Sequence, residues 1–353
     1  MSDRDTIIVD TAERIFRDLC DPQTITSAKD ESWKQPLWDA LEESGLTLTW
    51  VSDEVGGAGA GMMDGFDVLR VAGKYAVPVA LAETLLAGWL FEKAGIPCPA
   101  GVSTIAPQRQ QDRIELATDG TLSGTAKQVP FASDAGQIAV LAYQGDQAHV
   151  ALVNTGDCRI TPGQSIAHDP QGTVDFTGAV PLQSAPVSIS ADDLLLLGAA
   201  ARSAMIAGAL EAAMNISVQY AQERKAFGRN IGGFQAVQHN LSRLACEAAA
   251  AAAASGSAAE AIDASDTLQG DAMLLEIAGA KIRCGEAAGQ GAAIAHQAHG
   301  AIGFTKEHIL HRFTQRLWAW RDEFGSESAW AVRLGETVAR NGADALWPLV
   351  ASR

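Results

Sequence analysis

Apolar residues recur at three-to-four spacing from Asp5 to about Cys20, from Glu31 to Ser44 and from Gly65 to Ala94, with Pro-, Gly- and Asp-containing breaks between them. That period places the apolar side chains on one face of a helix, so the first hundred residues are predicted to be all-helical. From Gly101 to Ser190 the helical period disappears. Short stretches of β character take its place at Arg113 to Thr118, Gln137 to Tyr143, His149 to Val153 and Thr173 to Phe176. Asp119-Gly120 and Gly145-Asp146 stand where tight hairpin turns are expected, because both residue types tolerate positive φ. After Ala191 long helical segments return, including an alanine run from Ala248 to Ala254 that Ser255-Gly256-Ser257 is predicted to interrupt. The expected organisation is a helical domain over 1–100, a small antiparallel β domain over 101–190 and a helical domain over 191–353.

The segment from Tyr220 to Leu241 sets a cationic, glycine-broken turn between two helices. Tyr220, Arg224 and Phe227 are three or four residues apart, which predicts one shared helix face up to a break at Gly228, with Arg224 where that helix ends. Val237, Leu241, Leu244 and Ala248 then mark the buried stripe of a helix that resumes at Phe234. Such a turn is suited to an anion. The glycine-rich run from Glu54 to Gly61 is read instead as a connection between helices. A dinucleotide fingerprint needs a strand before the glycines and an acidic residue on a second strand beyond them.

The chain of 353 residues is 47% hydrophobic and 19% charged, which fits a globular protein of two or three subdomains. No run of eighteen apolar residues is evident that would span a bilayer. The mixed-charge N-terminus lacks the basic and apolar regions of a secretory signal, so a soluble, cytoplasmic protein is expected. A formal net charge of −16 opposes binding to nucleic acid or to an anionic membrane. A polyanionic ligand would need a local cationic cluster, for which Arg224, Lys225 and Arg229 are one candidate and Arg312, Arg316 and Arg321 another. The five cysteines have no metal or redox spacing and read as reduced, mostly packed thiols. His299 and His308 lack companions at ligand spacing, so no metal is expected.

The order of residues in Tyr220 to Leu241 is similar to a signature of the acyl-CoA dehydrogenase family, Tyr-x-x-x-Arg-x-x-Phe-Gly-x-x-Ile-x-x-Phe-Gln-x-x-x-His. The resemblance implies a mainly α fold with a small β domain: an N-terminal helical domain, a middle antiparallel β-barrel domain and a C-terminal four-helix bundle. It also implies FAD as cofactor, with Arg224, Phe227 and Gln235 contacting the FAD of a neighbouring subunit, and hence an oligomer. A second string, Gln297 to His308, resembles the family segment that lines the FAD and gives Gln297, Gly300 and Gly303 a cofactor role; Ala301 replaces a glycine of the pattern. The Glu54 to Gly61 run resembles a segment of the family's N-terminal helical domain.

The implied reaction is α,β-dehydrogenation of an acyl-CoA thioester, with an electron-transferring flavoprotein as acceptor. A carboxylate removes the α proton while the flavin receives the β hydrogen as hydride. The family's usual glutamate position falls, without gaps, on Phe324; a one-residue shift makes it Glu323. An alternative family position falls on Gly198, beside Ala199, with Asp192 and Asp193 a few residues earlier reading as helix N-caps. Glu323 is therefore the candidate base. The segments Ile105 to Asp112 and Val129 to Asp134 do not preserve the family's flavin-ring motifs. Two functional readings stay open: an active dehydrogenase using Glu323, or a non-catalytic subunit of a heteromeric dehydrogenase that contributes half of the FAD site. A helical interaction protein without flavin is the third.

Overall fold

The computed structural model describes residues 7–57 and 59–351. Five helices come first: α1 (Ile7–Leu19), α2 (Pro22–Ser27), α3 (Lys34–Glu43), α4 (Met62–Lys74) and α5 (Leu81–Ala94). The stretch expected as a single helix over 65–94 is two. Ala76 takes a left-handed φ of 49°, and Pro78 follows with no N–H to give, so the helix stops before both. Among the described residues, no strand precedes the glycine run. Gly57 serves packing, since a β-carbon there would lie 1.9 Å from the Val51 carbonyl oxygen, whereas Gly56 is open and takes a φ of 90°.

Nine strands follow: β1 (Ser103–Ala106), β2 (Glu115–Leu116), β3 (Leu122–Ser123), β4 (Thr125–Pro130), β5 (Gln137–Gln144), β6 (Gln147–Asn154), β7 (Arg159–Gln164), β8 (Pro170–Asp175) and β9 (Gln183–Pro186). One sheet runs β3-β2-β5-β6-β9 with β1 beside β5, and another runs β4-β8-β7. Gly145 and Asp146 make the two-residue turn between β5 and β6, with Gly145 at φ 60°. Most pairings are antiparallel as expected, but β1 and β2 each pair parallel with β5. Ile114, Ile138, Val140, Val153, Val174 and Phe176 fill the core between the sheets.

The remaining elements are α6 (Ala191–Glu223), a hairpin of β10 (Lys225–Ala226) and β11 (Arg229–Asn230), then α7 (Gln235–Asp263), α8 (Asp271–His299), α9 (Leu310–Asp322), α10 (Glu327–Asn341) and α11 (Ala343–Ala351). Helix α7 continues through Ser255-Gly256-Ser257 rather than stopping there. A single helical glycine costs only about 1 kcal/mol, which the buried Ala251, Ser255, Ala258 and Ala259 face offsets. Asp193 is not the N-cap of α6. Ser190 is, and the two form a capping box: the Asp193 carboxylate accepts from Ser190 N at 2.7 Å, and Asp193 N donates to Ser190 Oγ at 3.2 Å. Contrary to the sequence reading, α6 is long and apolar enough to cross a bilayer, but its apolar window is wholly buried in protein.

By packing, the chain divides into two compact units. Among the described residues, one holds 7–19, 31–57, 59–69 and 78–198, in which α5 lies against β1, β5 and β6. The other holds 20–30, 70–77 and 199–351, in which α8 packs against α7, α9 and α10. In the second unit α4 and α6 approach backbone to backbone at two glycines. A β-carbon on Gly208 would sit 1.9 Å from the Arg70 carbonyl oxygen, and one on Gly73 2.0 Å from that of Met205. Neither neighbour is a side chain that can turn aside. Gly208→Ala is therefore expected to destabilise the protein by at least the ~1–3 kcal/mol typical of overpacking, read as a lower denaturation midpoint with an unchanged denaturant slope.

Candidate functional site

Helix α6 ends at Glu223, so only Tyr220 of the expected Tyr220–Arg224–Phe227 helix face lies on it. Arg224 N still donates to Tyr220 O, and Ile231 N then donates to Arg224 O at 2.8 Å, which closes a hairpin loop. Phe227 (φ 51°) and Gly228 (φ 81°) form its tip. Positive φ at both central residues matches the twist of a two-residue hairpin, and this is why the chain turns here rather than continuing as helix. A phenylalanine in that region is strained and, at 96% exposure, gains no burial from its own chain. Arg224, Lys225 and Arg229 are exposed around it, and Arg229 lies 4.1 Å over the Phe234 ring. Gln235 is exposed at the first turn of α7.

The second glycine segment meets the elbow through Tyr220. Its ring stacks on His299 at 4.4 Å and its hydroxyl donates to His299 O at 3.4 Å. His299 Nδ1 must carry its proton, because it bonds the Ala295 carbonyl at 2.8 Å. Burial pushes His299 down to about 4 and also lowers His296 and His308, so all three rings are neutral at neutral pH. Gly300 has φ 66° and an open face, which a close ligand could use. Gly303 is different. A β-carbon there would meet His299 Cβ at 3.0 Å and His296 Nδ1 at 3.2 Å, so its lack of a side chain serves internal packing. Gln297 is exposed on the last turns of α8, and Phe304, 67% exposed, stacks on His296 at 3.9 Å.

Exposed guanidiniums, exposed aromatic faces and an unobstructed glycine backbone suit the phosphates and rings of a dinucleotide such as FAD. The other cationic group does not form such a surface. Arg316 is buried and donates to Arg312 O, and Arg321 is held by Glu327. In the β region, the polar side chains of the two altered segments are used internally. Asp112 accepts from Lys127 N at 2.7 Å, and Asp134 pairs with Lys34 at 3.0 Å.

Glu323 lies apart from these groups in the chain, at the C-cap of α9. Its carboxylate accepts from Arg202 Nε at 2.6 Å, and the Arg202 side chain is only 3% exposed. The guanidinium also sits 5.8 Å over the Phe324 ring. Phe324, at φ 54° and buried, is fixed by its carbonyl, which accepts from Trp330 Nε1 at 2.9 Å. Beneath the turn, Lys281 Nζ donates to Trp320 O at 2.7 Å and Arg321 O at 2.8 Å, two carbonyls of the last turn of α9. Neither Arg202 nor Lys281 was anticipated. For Arg202 the signal was available, because it is the lone cation of the apolar α6 sequence, and a helix that is apolar all round is buried together with the charge it carries.

Residues 190–326 match the acyl-CoA dehydrogenase C-terminal domain family. The chain is 27% identical over 290 residues to acyl-CoA dehydrogenase IpdE2 of Mycobacterium tuberculosis, covering 82% of each chain. It is also 27% identical to acyl-CoA dehydrogenase FadE27 of the same organism, over 95% of this chain and 96% of that one. Its fold is similar to that of a chain in the ChsE4–ChsE5 complex of Mycobacterium tuberculosis, with TM-score 0.85, 22% identity and coverage of 96% and 98%. Butyryl-CoA dehydrogenase from Megasphaera elsdenii shares the fold at TM-score 0.81 and 17% identity, with coverage of 96% and 98%.

The geometry at Glu323 sets a stability prediction. Glu323→Ala leaves a buried guanidinium without its carboxylate, which costs ~3–5 kcal/mol when such a pair is broken on one side. Adding Arg202→Met should recover much of that loss. Thermal or denaturant unfolding of the two variants checks it, and equal instability of the single and double variants would show that the pair does not carry the effect.

Proposed function

We propose that the chain is a member of the acyl-CoA dehydrogenase family, whose C-terminal domain residues 190–326 match, and that it acts as the partner-dependent subunit of a hetero-oligomeric, FAD-dependent acyl-CoA dehydrogenase. In this reading its elbow binds the FAD of a second, catalytic chain, which supplies the base for α,β-dehydrogenation of an acyl-CoA thioester. The observation that carries the proposal is the Arg202–Glu323 pair. Glu323 Oε2 is held at 2.6 Å by a buried guanidinium, which directs that oxygen to the protein and not to a substrate α-carbon. The other two positions that could carry the base hold Phe324 and Gly198.

Arg224, Phe227, Gln235, Gln297 and Gly300 are the residues proposed to meet the cofactor, with Gly303 supporting the segment from inside. FAD, when bound, supplies the hydride-accepting chemistry. Arg224 would place fixed positive charge against its pyrophosphate, while Phe227 and Phe304 would cover apolar ring surface. Likeness to a chain from a two-protein complex, ChsE4–ChsE5, supports a heteromeric arrangement. The names of the relatives support acyl-CoA as substrate class and the family supports an electron-transferring flavoprotein as acceptor.

Two outcomes follow for the complex co-purified with its catalytic partner. Arg224→Ala should weaken FAD retention by roughly 10- to 100-fold, the ~1.5–3 kcal/mol of a charge-assisted hydrogen bond, measured by flavin fluorescence on dilution. Unchanged retention would remove the elbow from the cofactor site. Glu323→Gln, which can still accept from Arg202, should leave turnover far short of the ~100- to 10,000-fold fall that loss of a general base produces. A fall of that size would make Glu323 the base.

A further inference from the structure

Lys281 is wholly buried on α8, and nothing in the proposed function uses it. Its two hydrogen bonds go to carbonyl oxygens at the end of α9, where the helix leaves acceptors without intrahelical donors and the macrodipole is negative. The next residues form the turn that carries Glu323, Phe324 and Gly325. That turn is pinned at its other points by Arg202 to Glu323 and by Trp330 to the Phe324 carbonyl. Gly325 permits it: at φ 92°, with a β-carbon only 2.8 Å from the Trp330 indole nitrogen, no other residue fits without a shift.

We infer that Lys281 is a proton-linked positioning residue, which holds the 320–326 turn closed as an interior cap of α9 and couples opening of that turn to uptake of a proton. The inference stands whether this chain or a partner supplies the base, because it concerns only the turn itself. Its chemistry follows from the surroundings of the amine. Burial lowers Lys281 from an ordinary 10.5 to about 7, with Glu323 and Asp322 acting to raise it and Arg202 to lower it. Glu327 also lies within electrostatic reach, and so does Cys284, whose thiol burial pushes up to about 12.

The sign is fixed by which state binds more protons. With the turn closed the amine is held at about 7; with the turn open and the amine in water it returns to 10.5. Between those values the open state carries the extra proton, so rising pH favours closure and falling pH favours opening down to about 7, below which the dependence vanishes. Cys284 acts in the opposite sense above its ordinary value of 9.0, which limits the clean window to pH 7–9. A single proton taken up across that window makes opening roughly 50-fold rarer at pH 9 than at pH 7.

Hydrogen exchange of the purified full-length chain, read as protection factors at pH 7, 8 and 9, tests this. Amides of 320–326 in the wild-type protein should gain roughly 50-fold in protection across the series, while amides of α1 should not. Lys281→Arg, which stays charged throughout, and Lys281→Met, which never is, should each abolish the gain; either one that folds suffices. A flat profile in the wild type, a gain shared equally by α1, or a gain that survives in a folded Lys281 variant would overturn the inference.

Discussion

A guanidinium that is 3% exposed inside a helix bundle needs a carboxylate beside it, and the position of Arg202 on α6 therefore dictates where Glu323 must stand. To bring that carboxylate to Arg202, α9 has to stop at Asp322 and the chain has to turn at once. The turn costs a non-glycine residue at positive φ, Phe324, and a glycine at Gly325. Its carbonyl acceptors are then met from below by Lys281 and from the side by Trp330. The turn thus ties α6, α8, α9 and α10 together through Arg202, Lys281 and Trp330.

The elbow and the glycine segment beside it are built on the reverse principle. Their guanidiniums are exposed, Phe227 stands out in solvent from a strained hairpin tip, and Phe304 offers a second open ring. Beyond the stacking of Phe304 on His296 and of Arg229 over Phe234, they gain little from their own chain. In the proposed function a ligand and a partner chain would cover them. A closed interior carboxylate beside an open cationic elbow is the pair of features on which the proposed partner-dependent role rests.

Much of this was legible in the sequence. The helix, strand, helix order followed from the change in period, and the Gly145-Asp146 turn from its residue types. The elbow was found by its motif, but its shape was not: spacing put Phe227 on a helix face, whereas the paired positive φ of Phe227 and Gly228 makes a hairpin. The break between α4 and α5 was hidden because apolar periodicity runs through Pro78. Gly303 was legible as a glycine, yet its reason is the His299 Cβ and the His296 ring behind it, which only packing brings together. Glu323 was identified as the carboxylate nearest the expected position, and its partner Arg202 lies 121 residues away in the chain, beyond any local pattern.

The flavin-to-chain ratio tests the central claim most directly. Measured by absorbance on this chain purified alone and then on its complex with a catalytic partner, the account predicts that the isolated chain holds essentially no FAD and that the complex holds one FAD for each pair of unlike chains. A homo-oligomer of this chain that carries one FAD per subunit, and whose flavin bleaches on addition of an acyl-CoA, would contradict it.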